Sequence, residues 1–95
     1  MDAQHIRQIL TDNKDRLFMT YPLTSMALFG SYADGTANEK SDIDIMVEFS
    51  QPVGFEFIDL SIELEQLLNK RVDIVTRKAV KPGLMNFIQP QLQYV

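Results

Sequence analysis

The chain contains no cysteine and no tryptophan, and a single histidine, His5. A disulfide scaffold and thiolate metal sites are therefore excluded, and one imidazole cannot build a His-rich zinc centre. No apolar run approaches the roughly 20 residues that span a bilayer. The opening stretch MDAQHIRQIL is polar and lacks the apolar core of a secretory signal. Neither a membrane role nor export is expected, and a reducing cytoplasm is the expected compartment. Positive charge is in deficit: 9 Lys and Arg face 13 Asp and Glu, for a net charge of -4. A generic electrostatic grip on nucleic acid is not expected of such a chain.

What is present is ordinary globular composition. Hydrophobic residues make up 45% and charged residues 23%, which excludes a disordered tail, a collagen-like fibre and a coiled coil. With 95 residues the chain is expected to form one domain, residues 1–95, around one core.

Asp2 is placed to cap a first helix, in which Ile6, Ile9, Leu10 and Leu17 recur at helical spacing to about Met19. Tyr21-Pro22 ends it, because proline disfavours helix in the preceding residue. The short apolar run Met26–Phe29 reads as a buried strand, and polar residues 34–41 as an exposed loop. Asp42 to Phe49 reads as a strand with Ile43, Ile45 and Val47 on one face and Asp42, Asp44, Met46 and Glu48 on the other. Phe57, Leu60, Leu64, Leu67 and Leu68 form an apolar helical stripe ending near Asn69. Val72–Val75 reads as a third strand, Leu84 to about Gln89 as a last helix, and the tail after Pro90 as extended. This order implies an α+β domain, a small mixed β-sheet with helices packed against it.

Charge is unevenly placed. Asp34, Glu39, Asp42, Asp44 and Glu48 cluster in one segment; Lys70, Arg71, Arg77, Lys78 and Lys81 cluster in another. Two walls of a cleft, or two solvated surfaces that never meet, are both compatible with this pattern.

The chemistry-bearing stretch runs from Gly30 to Asp44. A strand delivers the chain to Gly30-Ser31, where glycine permits close backbone approach to a ligand. A helical turn starting at Ser31 would aim free N–H groups at an anion, with the Ser31 hydroxyl as a further donor. Ten residues later, Asp42 and Asp44 project from one strand face. Carboxylates held this close repel one another unless a hard divalent cation such as Mg²⁺ lies between them. Asp73, on the third strand, is a candidate third carboxylate, although beside Arg71 it also reads as half of a surface ion pair.

The segment GSYADGTANEKSDIDIMVEF resembles the Gly-Ser, ten residues, Asp-x-Asp motif of the DNA polymerase beta-like nucleotidyltransferase superfamily. It is most similar to the minimal nucleotidyltransferase group. The resemblance extends over nearly the whole chain, with RVDIVT as the strand bearing the third acid. It implies the polymerase beta-like fold, ATP as substrate and two Mg²⁺ ions. It further implies an antitoxin that transfers AMP to a tyrosine of a HEPN-domain toxin. By position, Asp42, Asp44 and Asp73 would hold the metals, Asp73 would act as general base, and Gly30 and Ser31 would hold the triphosphate. The pattern departs at Asp34, where the family usually carries arginine. Either a basic residue elsewhere, such as Lys40 or Arg77, compensates, or nucleotide binding is weakened. The alternative is a catalytically weak or inactive binding module that neutralises its partner by complex formation. Small-molecule nucleotidylation is a third reading, which the short chain disfavours.

Outside the motif, His5 reads as a surface residue. Tyr32 reads as a packing residue or a platform for a base. The apolar residues Leu84, Met85, Phe87, Ile88, Leu92, Tyr94 and Val95 are expected either to present a partner-binding patch or to close the open face of the sheet.

Overall fold

The computed structural model describes residues 1–95. Helix α1 (Ala3–Thr20) starts where Asp2 accepts a hydrogen bond from the His5 amide at 2.9 Å. It buries Ile6, Leu10 and Leu17 and stops at extended Tyr21. Strand β1 (Leu23–Phe29) follows. It begins ahead of the apolar run Met26–Phe29 because Thr24 and Ser25, polar and unpromising in sequence, are held by strand pairing. Thr24 Oγ1 donates to the Glu48 carbonyl at 3.2 Å and Ser25 Oγ to Glu48 Oε2 at 2.8 Å.

Just ahead of the stretch read as a loop, a single helical turn, α2 (Ser31–Asp34), precedes Gly35, which is left-handed. Strand β2 (Ile43–Phe49) starts one residue later than expected, so Asp42 stands just ahead of it. Helix α3 (Phe55–Leu68) ends at Asn69 in the left-handed conformation, as its position at the end of the stripe suggests. Strand β3 (Val72–Thr76), a 3₁₀ turn at Arg77–Ala79, helix α4 (Pro82–Ile88), a second 3₁₀ turn at Gln89–Gln91 and the short strand β4 (Gln93–Tyr94) complete the chain.

The sheet order is β3-β2-β1-β4. β1 runs antiparallel to β2 and β4, while β2 and β3 are parallel, joined by α3 as the crossover such a pair requires. The sheet is therefore mixed, with helices against it. One face carries Met26 and Leu28, Ile43, Ile45 and Val47, and Val72 and Ile74. These join Ile6, Leu10 and Leu17 of α1, Tyr32 of α2, and Leu60, Leu64 and Leu68 of α3 in one buried cluster. Truncating any fully buried leucine here is expected to cost about 2–5 kcal/mol.

The opposite face is organised in rows by strand register. Phe29, Asp44 and Asp73 lie side by side; next come Ala27, Met46 and Val75, with Tyr94 beside Ala27. Met46, grouped by alternation with the acidic residues, is 2% exposed. Arg77 explains how this face acquires a cover. Its Nε contacts Glu48 Oε1 at 2.8 Å, its Nη1 donates to Gln89 Oε1 at 3.0 Å, and its Nη2 donates to the Tyr94 hydroxyl. One guanidinium thus ties β2 to the carboxy-terminal segment. Of the apolar residues there, Ile88 is buried and Met85, Leu92 and Val95 are partly covered, whereas Leu84, Phe87 and Tyr94 stay exposed. The last helix buries Ile88 and leaves Leu84 and Phe87 on an apolar outer side.

Candidate active site

The site forms at the end of the sheet where β1 finishes and β2 and β3 begin. Because β2 and β3 are parallel and Asp44 is register partner to Asp73, the two carboxylates share a row on one face. Asp42 flanks them and Gly30 abuts them from the end of β1. Gly30 has φ of 74° and ψ of -153°, a region essentially confined to glycine. A Cβ at this position would lie 2.2 Å from Asp44 Oδ2. The missing Cβ therefore lets the backbone pass against the central carboxylate, a protein side chain rather than a ligand.

Burial pushes the Asp44 carboxyl above the usual carboxylate range, and the charges of Asp73 and then Asp42 push it further the same way. Asp73 is exposed, as is Arg71. Arg71 does not pair with Asp73 as adjacency in sequence suggests. Its Nε lies 3.8 Å from Asp42 Oδ1, because the Arg71 carbonyl accepts from the Ile43 amide at 3.0 Å and sets the two chains abreast. The acidic and basic segments do meet, as neighbouring strands bracketed by Arg71–Asp42 at one end and Arg77–Glu48 at the other.

Ser31 begins α2 as expected, and Gly30 supplies the carbonyl that accepts from the Ala33 and Asp34 amides at 3.0 and 3.1 Å. The first amides of the turn have no acceptor within it. The donor set fits a hard divalent cation, because every candidate ligand is a carboxylate oxygen. The side chains stand in a row, with no three acidic or histidine groups gathered round one point. A cation would have to draw them together.

The sequence pattern of the family described as Nucleotidyltransferase domain matches residues 6–95. The chain belongs to this family. Protein adenylyltransferase MntA of Thermococcus cleftensis is 38% identical over 96 residues, covering 100% of this chain and 97% of that protein. A Methanocaldococcus jannaschii protein, named as a candidate protein adenylyltransferase, is 43% identical over 94 residues, or 95% of this chain and 94% of its own length. Among solved structures, a candidate minimal nucleotidyltransferase superposes with a TM-score of 0.82 at 29% identity, over 98% of this chain and 95% of that one. A toxin–antitoxin crystal structure with AMP-PNP superposes at 0.69 and 27% identity, over 99% of this chain and 72% of that chain. The fold is accordingly the nucleotidyltransferase fold, and the chain is an enzyme of the nucleotidyl-transfer class.

In this nucleotidyltransferase the departure at Asp34 has a local explanation. Its Oδ1 accepts from the Thr36 hydroxyl at 2.6 Å and the Thr36 amide at 3.0 Å, which holds its carboxyl below the usual range and fastens the turn after α2. Of the two basic residues named as compensators, Arg77 is committed to Glu48, Gln89 and Tyr94. Lys70, noted in sequence only as part of the basic segment, places its Nζ 5.6 Å from the centre of the Tyr32 ring and donates to the Glu39 carbonyl at 3.4 Å. No local pattern assigns Lys70 these neighbours, because they come from a distant segment. Tyr32 itself is 7% exposed and belongs to the core. No helix is long and apolar enough to cross a membrane.

Proposed function

We propose that this chain, acting as one unit over residues 1–95, transfers AMP from ATP to a tyrosine hydroxyl of a HEPN-type toxin and thereby serves as its antitoxin in the cytoplasm. The observation that carries the reading is the Asp44–Asp73 row with Asp42 beside it and the Gly30 backbone against Asp44 Oδ2. Relatives named as protein adenylyltransferases and a toxin–antitoxin neighbour with AMP-PNP support the acceptor class and the nucleotide.

Gly30 and the Ser31 turn bind the triphosphate through backbone amides and the Ser31 hydroxyl. Asp42, Asp44 and Asp73 would hold two Mg²⁺ ions, which when bound neutralise phosphate charge and acidify the acceptor hydroxyl. Asp73, the exposed member of the row, accepts the hydroxyl proton. The acceptor oxygen forms a bond to the α-phosphorus of ATP, the bond from that phosphorus to the bridging oxygen breaks, and pyrophosphate leaves.

A second reading, neutralisation by complex formation alone, is favoured by one observation. Leu84, Phe87 and Tyr94 are 54%, 70% and 50% exposed on the carboxy-terminal segment, an apolar surface suited to protein binding. Intact-mass measurement of the partner after incubation with ATP and Mg²⁺ separates the readings. A gain of one or more AMP groups supports transfer; an unchanged mass with a stable complex supports occlusion.

A further inference from the structure

Four arginines occur in the chain, and three pair with a carboxylate: Arg16 with Glu63, Arg71 with Asp42 and Arg77 with Glu48. Arg7 has no ion-pair partner. It is only partly exposed, and its Nε is enclosed without a hydrogen-bond acceptor. An enclosed donor left unmet costs about 1–3 kcal/mol.

Arg7 lines a cavity of about 450 Å³ between the first turns of α1 and the back of α2, shared with Tyr32, Ala33 and Gly35. It is the only basic side chain among the lining residues. The volume lies at the low end of the roughly 300–1,000 Å³ typical of ligand cavities and comfortably admits a phosphate group. Asp2, the one acid at the rim, has Oδ1 engaged by the His5 amide and makes no ion pair with Arg7. A second cation, Lys70 Nζ, lies over the ring of Tyr32. The cavity is on the α1 side of α2, whereas the Asp44–Asp73 row is on the opposite face of the sheet.

We propose that this cavity is a second anion site, in which the Arg7 fork binds a phosphate group behind the turn that carries Gly30 and Ser31. Arginine suits this task because its planar donors match two phosphate oxygens at once. The phosphate belongs either to a nucleotide or to a free phosphate ligand. The site requires neither the carboxylates nor transfer, so it stands or falls separately from the AMP-transfer reading.

The test is ¹H–¹⁵N NMR of the full chain without metal, following the Arg7 Nε–Hε and the Ala33 and Gly35 amides during titration with inorganic phosphate. Saturable shifts at all three are expected, with binding weakened about tenfold or more in Arg7→Gln and less in Arg7→Lys, which keeps the charge. ATP is then added to the phosphate-loaded chain. Displacement of phosphate assigns the site to a nucleotide's phosphate; retention of phosphate assigns it to a separate ligand. The other enclosed polar atom without a partner is Gln93 Oε1, whose amide Nε2 donates to the Ala33 carbonyl at 3.0 Å. If Gln93→Ala shifts Arg7 Nε–Hε while phosphate does not, Arg7 has an internal partner and the proposal is wrong. Absence of any phosphate response at Arg7 in the wild-type chain overturns it equally, whatever the variants do.

Discussion

Asp44→Asn should make the metal-free protein more stable while abolishing AMP transfer. The substitution keeps the shape and removes the charge at the centre of the carboxylate row. Neighbouring strands lie about 4.8 Å apart, and two unit charges at that spacing repel by roughly 0.9 kcal/mol in the dielectric of water. Salt and partial exposure reduce this toward the few tenths typical of surface pairs, and relief of desolvation adds a similar amount. A net gain of about 0.5–1 kcal/mol is expected at neutral pH, or roughly 2–8 °C in melting temperature for a domain of this size. Because the folded Asp44 carboxyl is raised, the folded state holds its proton more tightly than the unfolded chain. Below the unfolded value, about 3.9, both states are protonated and the penalty is absent. Stability is lost as pH rises from there through the folded value. The difference between variant and wild type should therefore open across that window and stay constant above it. Adding Mg²⁺ should reverse the order, since a ligand that binds only the folded wild type stabilises it alone. Thermal melts across pH with and without Mg²⁺, alongside an intact-mass assay of the partner, test this. A destabilised variant, a difference that does not change between acid and neutral pH, or retained AMP transfer would refute the reasoning.

Gly30→Ala should lose about 1–3 kcal/mol from backbone strain alone and lose transfer as well, because the new Cβ displaces Asp44 Oδ2; chemical denaturation and the same mass assay report both. Arg77→Ala should destabilise by about 1–3 kcal/mol and expose residues 80–95 to limited proteolysis, since that side chain ties Glu48 to Gln89 and Tyr94; an unchanged digestion pattern would remove it as the clasp. Leu84→Ser combined with Phe87→Ser should abolish partner binding by calorimetry with the melting temperature nearly unchanged, because both side chains already face solvent. The Tyr21 hydroxyl donates to Glu63 Oε1 at 3.0 Å, and burial followed by the Glu63 hydrogen bond pushes its pKa up to about 12. Absorbance titration should show a late-ionising tyrosine, removed by Tyr21→Phe, with stability falling between about pH 10 and 12 as only the unfolded chain loses that proton.

The sequence by itself determined the features whose partners are near in the chain. Asp2 caps a helix that starts next to it, Asn69 ends α3, and Ile43, Ile45 and Val47 face the core because a strand alternates every residue. The Gly30–Asp44 motif was legible for the same reason, as one continuous segment with a turn between two strands. Pairings between distant segments leave no local signal, and only the tertiary structure decided them. The parallel register of β2 and β3 places Asp73 beside Asp44 and hands Arg71 to Asp42. The return of the tail to pair with β1 lets Arg77 hold it in place, while Met46 on that face is buried despite an acidic alternation. Lys70 reaches Tyr32 only because α3 carries the chain back to the motif end of the sheet. Arg7, an unremarkable helix residue in sequence, becomes the one arginine without a counter-charge once the other three have found theirs. Periodicity records which way a side chain points; what it meets there depends on chain closure over long separations, which neighbouring residues do not encode.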